Sequence, residues 1–218
     1  MRLIEGVTFS DKMADGPLDS RQAAELMLPI CRAIDAAHHE GVLHRDLKPS
    51  NILVDHENVP YITDFGLAKR IPTESDPSQP ETLTGSGAIL GTPSYMSPEQ
   101  AAGQRGRVQE QSDVYSLGAI LYALITGQPP FRANSPVDTM IQVLEQEAAP
   151  PRLLNPDIDT DLEMIAMKCL QKPIDLRYNT AGLLADDLQA FLNNEPVSAR
   201  SSQFSQVLSR AFRETHHA

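Results

Sequence analysis

Positive charge is scarce in this chain: 18 Lys and Arg stand against 29 Asp and Glu, giving a formal charge of -11 and a pI near 4.9. No global basic field exists to attract nucleic acid or an anionic membrane, and nucleic-acid binding is not expected. Cysteine is scarce too. Cys31 and Cys169 lie far apart, each inside a helix-like apolar pattern, which excludes a disulfide framework and suits reduced structural thiols. No eighteen apolar residues run together, and the N-terminus lacks the basic-then-apolar order of a signal peptide, so a soluble, cytoplasmic chain is expected. No internal repeat is visible. What is present is ordinary globular material, 218 residues with 41% hydrophobic and 22% charged content, enough for one large domain or two small ones.

Met1 to Val7 is a short apolar-rich run before a turn, too small for a sheet of its own, and reads as a strand or connector belonging to something larger. Asp19 or Ser20 can cap a helix whose apolar positions Ala23, Met27, Ile30, Ile34 and Ala37 recur at three- and four-residue steps and stop at Gly41. Pro29 removes a backbone donor mid-way and predicts a kink. Two β pieces follow, Ile52 to Val54 and Tyr61 to Thr63, separated by turn residues in a hairpin-like layout. Residues 71–90 hold three prolines, three acids and many Ser, Thr and Gly without sustained period, the pattern of a mobile loop. Val114 to Thr126 is apolar almost throughout, as in a helix buried on all sides, and helices over 136–147, 160–171 and 180–193 are expected around it.

The chemistry is concentrated in HRDLKPSN at 44–51 and in Asp64-Phe65-Gly66, whose Asp follows Asp46 by 18 positions. Phosphoryl transfer needs a carboxylate near the acceptor hydroxyl, oxygen ligands for the metal that holds the phosphates, and a cation against developing charge. Taken singly, Asp, Asn and Pro-Ser pairs are common turn residues. Taken together, the eight ordered positions and the spaced triplet resemble the catalytic loop and metal-binding triplet of bacterial eukaryotic-like serine/threonine protein kinases. The resemblance implies that Asp46 orients and deprotonates the substrate hydroxyl and that Lys48 reaches the transferring phosphate. It gives Asn51 and Asp64 to Mg2+, ATP as the phosphoryl donor, and protein Ser or Thr side chains as acceptors. His44 takes a structural role beside Phe65.

GTPSYMSPEQ at 91–100 is similar to the end of a kinase activation segment, with Ser97-Pro98-Glu99 where many members have Ala-Pro-Glu. In the resemblance Glu99 pairs with Arg177 of LQKPIDLRY, and Thr92 belongs to the substrate platform; the plain alternative is two surface charges without contact. Asp113 in SDVYSLG is either a helix acid favoured by the dipole or, by resemblance, the anchor of the His44-Arg45 turn. Arg45 would pair with a phosphate on the activation loop, with Thr82, Thr84 and Ser86 as candidate sites in a stretch whose Ser and Thr content alone suits disorder. Leu3 and Ile4 would face adenine from a hinge, with Met1 at the gate and Leu53 as the floor.

The implied fold is mainly α with a small β-hairpin region, a kinase-like C-terminal lobe only. Residues 1–195 make the lobe, with 1–10 a hinge remnant and 64–99 the activation segment. A glycine-rich loop, the strand lysine and its helix glutamate are not among these residues, so a truncated form needing an N-terminal lobe, weak or inactive alone, is expected. The alternative is a non-catalytic lobe that docks substrates or a partner kinase. Residues 196–218 form an extension in which Phe204, Val207, Leu208, Ala211 and Phe212 make an apolar stripe near Arg200, Arg210 and Arg213. That stripe suits an amphipathic helix docked on the lobe or a link to a membrane through sequence beyond residue 218.

Overall fold

A computed structural model of the chain describes residues 5–65 and 93–199. Its first element is β1 (Gly6–Thr8), which pairs antiparallel with β2 (Ile52–Asp55), itself paired antiparallel with β3 (Pro60–Ile62). The register sets Leu53 between Thr8 and Tyr61, and Val54 between Val7 and Pro60. The expected hairpin is therefore two strands of a three-stranded sheet in which β2 is central. Gly6 carries no Cβ and so lets the β2 backbone approach: a Cβ there would fall 2.2 Å from the Val54 carbonyl oxygen.

Thr8 closes a capping box with Asp11 and starts α1 (Phe9–Ala14). Asp19 then caps α2 (Ser20–His39) by accepting from the Gln22 amide, and Gly41, at φ 71°, turns the chain away after the helix. Of its stripe, Ala23, Met27, Ile30 and Ile34 are buried, and Ala37 at the end is half-buried. Pro29 does not divide the helix. The ring lies on the exposed side, and so does Glu25, whose carbonyl water can satisfy in place of the missing amide.

After residue 92 the chain enters α3 (Pro98–Ala101) and then α4 (Glu110–Thr126), buried at every position from Ser112 to Ile125. Gly118 is the point where α6 (Thr160–Cys169) crosses it, for a Cβ at 118 would sit 2.2 Å from the Cys169 Cβ. In sequence α5 (Pro136–Glu145) comes between them, and α7 (Ala181–Leu192) closes the bundle against α2. The apolar core joins α2, α4, α6 and α7 with the inner sheet residues Ile52 and Val54, so the start of β2 and the loop before it rest on a rigid base. Cys31 and Cys169 are free and fully buried in this core. Among the described residues no helix is long and apolar enough to cross a membrane. The stretch 71–90 and residues 200–218 lie outside the described residues.

Candidate active site

Residues 43–51 connect α2 to β2, and their conformation is imposed from beneath by one buried carboxylate. Asp113, in the first turn of α4, accepts the His44 amide on Oδ2 at 2.9 Å and the Arg45 amide on Oδ1 at 2.9 Å. His38 Nε2 reaches Oδ2 at 2.8 Å, and both side chains are almost fully buried. Since a carboxylate only accepts, His38 must carry its proton on Nε2, which leaves its buried Nδ1 unpartnered among the described residues. Of the two readings of Asp113, the anchor is the one that stands. His38 escaped sequence reasoning, although its place one helical step beyond Ile30 and Ile34 puts a polar ring on a core stripe.

His44 is fully buried and bonded on both ring nitrogens. Its Nδ1 accepts the Asp46 amide at 3.3 Å, so Nε2 donates to the Thr63 carbonyl at 3.0 Å. Its ring also meets Phe65 edge-on, 4.8 Å between centroids. The structural role expected of it is therefore the one it has. Arg45 sits at φ 68°, a left-handed conformation unusual for a side chain of its size, and its buried Nε has no partner among the described residues. Burial pulls its pKa down and the nearby Asp113 opposes that shift.

Above this base the reactive side chains converge. Lys48 Nζ lies 2.7 Å from Asp46 Oδ2, and the Asn51 amide donates to the Asp46 carbonyl at 2.9 Å and to Oδ2 at 3.3 Å. One oxygen of Asp46 is thus held and the other, Oδ1, has no partner among the described residues. The Asn51 backbone carbonyl accepts both the amide and the hydroxyl of Thr63, at 2.9 and 3.1 Å, tying the start of β2 to the residue before Asp64. Asp64 itself is exposed at φ 60°, a left-handed turn that directs the chain out of β3. Asn51 keeps its side-chain oxygen almost free, with only a 3.5 Å approach from the Ser50 hydroxyl. Asn51 and Asp64 offer hard oxygen donors suited to Mg2+. Among the described residues no group of three His, Cys, Asp or Glu is placed to hold a metal ion.

Glu99 and Arg177 form the expected buried pair. Arg177 Nη1 and Nη2 meet Glu99 Oε1 and Oε2 at 2.9 and 3.0 Å, and Ser112 donates to Oε1 at 2.6 Å. Burial alone would raise the Glu99 carboxyl, but the Arg177 hydrogen bonds and charge, with Ser112, outweigh it and hold the pKa below the ordinary value. Leu53 is half-buried on β2. Met1, Leu3, Ile4, Gly66, Thr82, Thr84, Ser86 and Thr92 lie outside the described residues.

Residues 1–189 match the protein kinase domain family. The chain belongs to that family. Among curated relatives it is 36% identical over 200 residues to serine/threonine-protein kinase PknB of Mycobacterium tuberculosis, covering 91% of this chain and 31% of that protein. Against PknB of Mycolicibacterium smegmatis the identity is 38% over 189 residues, covering 86% of this chain and 29% of that protein. A probable serine/threonine-protein kinase of Clostridium perfringens is 34% identical over 216 residues, covering 96% of this chain and 30% of that protein. This kinase-family chain thus spans about a third of the length of the relatives it matches.

Proposed function

We propose that the chain carries the catalytic half of a serine/threonine protein kinase that moves the γ-phosphate of ATP to Ser or Thr of protein substrates. The observation that carries this reading is Asp46: one carboxylate oxygen fixed by Lys48 and Asn51, the other without a partner among the described residues. When bound, ATP with magnesium supplies the transferable phosphoryl group and the counter-charge for it. The acceptor hydroxyl donates to the second Asp46 oxygen, which orients it and takes its proton. Lys48, already beside Asp46, places a cation where negative charge develops. Asn51 and Asp64 would hold the metal, with Thr63, the residue before Asp64, bonded to the Asn51 carbonyl. Ser and Thr are preferred over Tyr on the Lys48-to-Asn51 ending of the loop and on Thr92.

In this reading residues 1–195 are a C-terminal lobe, 64–99 its activation segment and 196–218 an extension of it. Leu3, Ile4 and Leu53 line the adenine site. Arg45 receives a phosphate on Thr82, Thr84 or Ser86 through charge-assisted bonds. The 218 residues contain no glycine-rich loop and no strand lysine for the phosphates, so the nucleotide cover comes from an N-terminal lobe outside them, and these residues alone transfer weakly or not at all. A purely docking role is disfavoured, because it has no use for Asp46, Lys48, Asn51 and Asp64 together. The test is phosphate transfer to a serine peptide with the N-terminal lobe supplied. Asp46→Asn abolishes it if the reading holds, and unaltered transfer by that variant would refute it.

A further inference from the structure

Arg45 is held in its left-handed conformation from two sides, and only one of them is Asp113. On the other, Gln100 Nε2 of α3 donates to the Arg45 carbonyl at 2.6 Å. Strained conformations of this kind persist when the surroundings over-determine them, and here the amide and the carbonyl of one residue are both fixed by side chains. The Gln100 amide is itself aimed. Its Oε1 accepts from the Ser97 amide at 3.0 Å and from the Ser97 hydroxyl at 3.1 Å, while the Gln100 backbone amide returns to that hydroxyl at 3.4 Å. With two donors on Oε1, the amide cannot turn over, and its NH2 group faces Arg45. The Ser97 hydroxyl, absent where many kinases have alanine, supplies the second of these donors.

We infer that Gln100 is a positioning residue for phosphoryl transfer: oriented by Ser97, it clamps the Arg45 carbonyl and thereby sets the peptide that carries Asp46. The inference rests on the kinase reading of the site. It links two functions of one short helix, since the neighbouring Glu99 pins α3 to Arg177 while Gln100 reaches the catalytic loop. Once the end of the activation segment is seated, the loop bearing Asp46 is seated with it.

Gln100→Glu separates this role from helix capping. Glutamate is a preferred partner of Ser in a capping box, so one carboxylate oxygen still accepts from Ser97 and α3 stays capped. The other oxygen then faces the Arg45 carbonyl, lone pair against lone pair, and the clamp is lost. In the protein's full natural chain, with magnesium-ATP and a serine peptide, Gln100→Glu lowers kcat by about tenfold and moves either KM by less than about twofold. The melting temperature stays at the wild-type value, and the Asp46 amide nitrogen shifts in NMR because its peptide carbonyl has lost a donor. Wild-type kcat in Gln100→Glu, or a kcat loss that only follows a lowered melting temperature, would overturn the inference. If the wild-type protein transfers no phosphate, the kinase reading fails separately, and the Asp46 resonance still decides the clamp: an unmoved resonance refutes it.

Discussion

Replacing Arg177 by alanine tests the buried pair it makes with Glu99. The Arg177 side chain is 0% exposed and makes, besides its two bonds to Glu99, bonds to the carbonyls of Gln171, Gln111 and Lys172 at 2.7, 3.0 and 3.0 Å. Truncation leaves the Glu99 carboxylate buried with only Ser112 to satisfy it and strips three carbonyls of their donor. Breaking a buried pair in this way costs about 3–5 kcal/mol, a large part of a typical domain's stability. For a chain of this length that lowers the melting temperature by about 6–20 °C, measured by circular dichroism and by urea titration at neutral pH. Removing both charges with Glu99→Leu and Arg177→Met recovers part of the loss, since no ion is then stranded. The pH dependence has a defined sign. The Glu99 pKa is lowered on folding, so its contribution is fully present above the ordinary glutamate value near ~4.3 and is lost as the pH falls through the folded value. The gap between wild type and Glu99→Gln therefore narrows in acid. A loss below about 1 kcal/mol for Arg177→Ala at neutral pH, the size expected of a solvated pair, would refute the reasoning.

Asp113→Ala strands the amides of His44 and Arg45 and the buried His38 ring. It is expected to cost about 2–4 kcal/mol in urea unfolding and to raise hydrogen exchange at the His44 and Arg45 amides selectively. Gly118→Ala forces α4 and α6 apart and costs about 1–3 kcal/mol; Cys169→Ala does not relieve it, because the clash is with the Cβ of residue 169 and not its sulfur.

The bundle was legible from periodicity: the α2 stripe, the mostly apolar α4 and the three later helices fall where spacing and capping residues put them. The Asp46, Lys48 and Asn51 cluster was legible because its members lie within six residues of one another, so local chain geometry alone brings them together. The groups that hold the cluster were harder to see. His38, Ser112 and Gln100 act across 75, 13 and 55 residues of chain, and each has an innocuous local explanation as a helix residue or cap. Polar residues on core stripes, such as His38 after Ile34, were the signal for them. Pro29 stays inside one continuous helix because it and Glu25 lie on the exposed side, where a missing amide is cheap.

The most direct measurement is transfer of labelled γ-phosphate to a serine peptide by the chain joined to an N-terminal lobe that carries a glycine-rich loop and its lysine, beside the 218 residues alone. Magnesium-dependent labelling by the joined protein, little by the 218 residues, and none after Asp46→Asn is the predicted result. Labelling that survives Asp46→Asn, or none from a folded joined protein, would contradict the assignment of phosphoryl transfer to this loop.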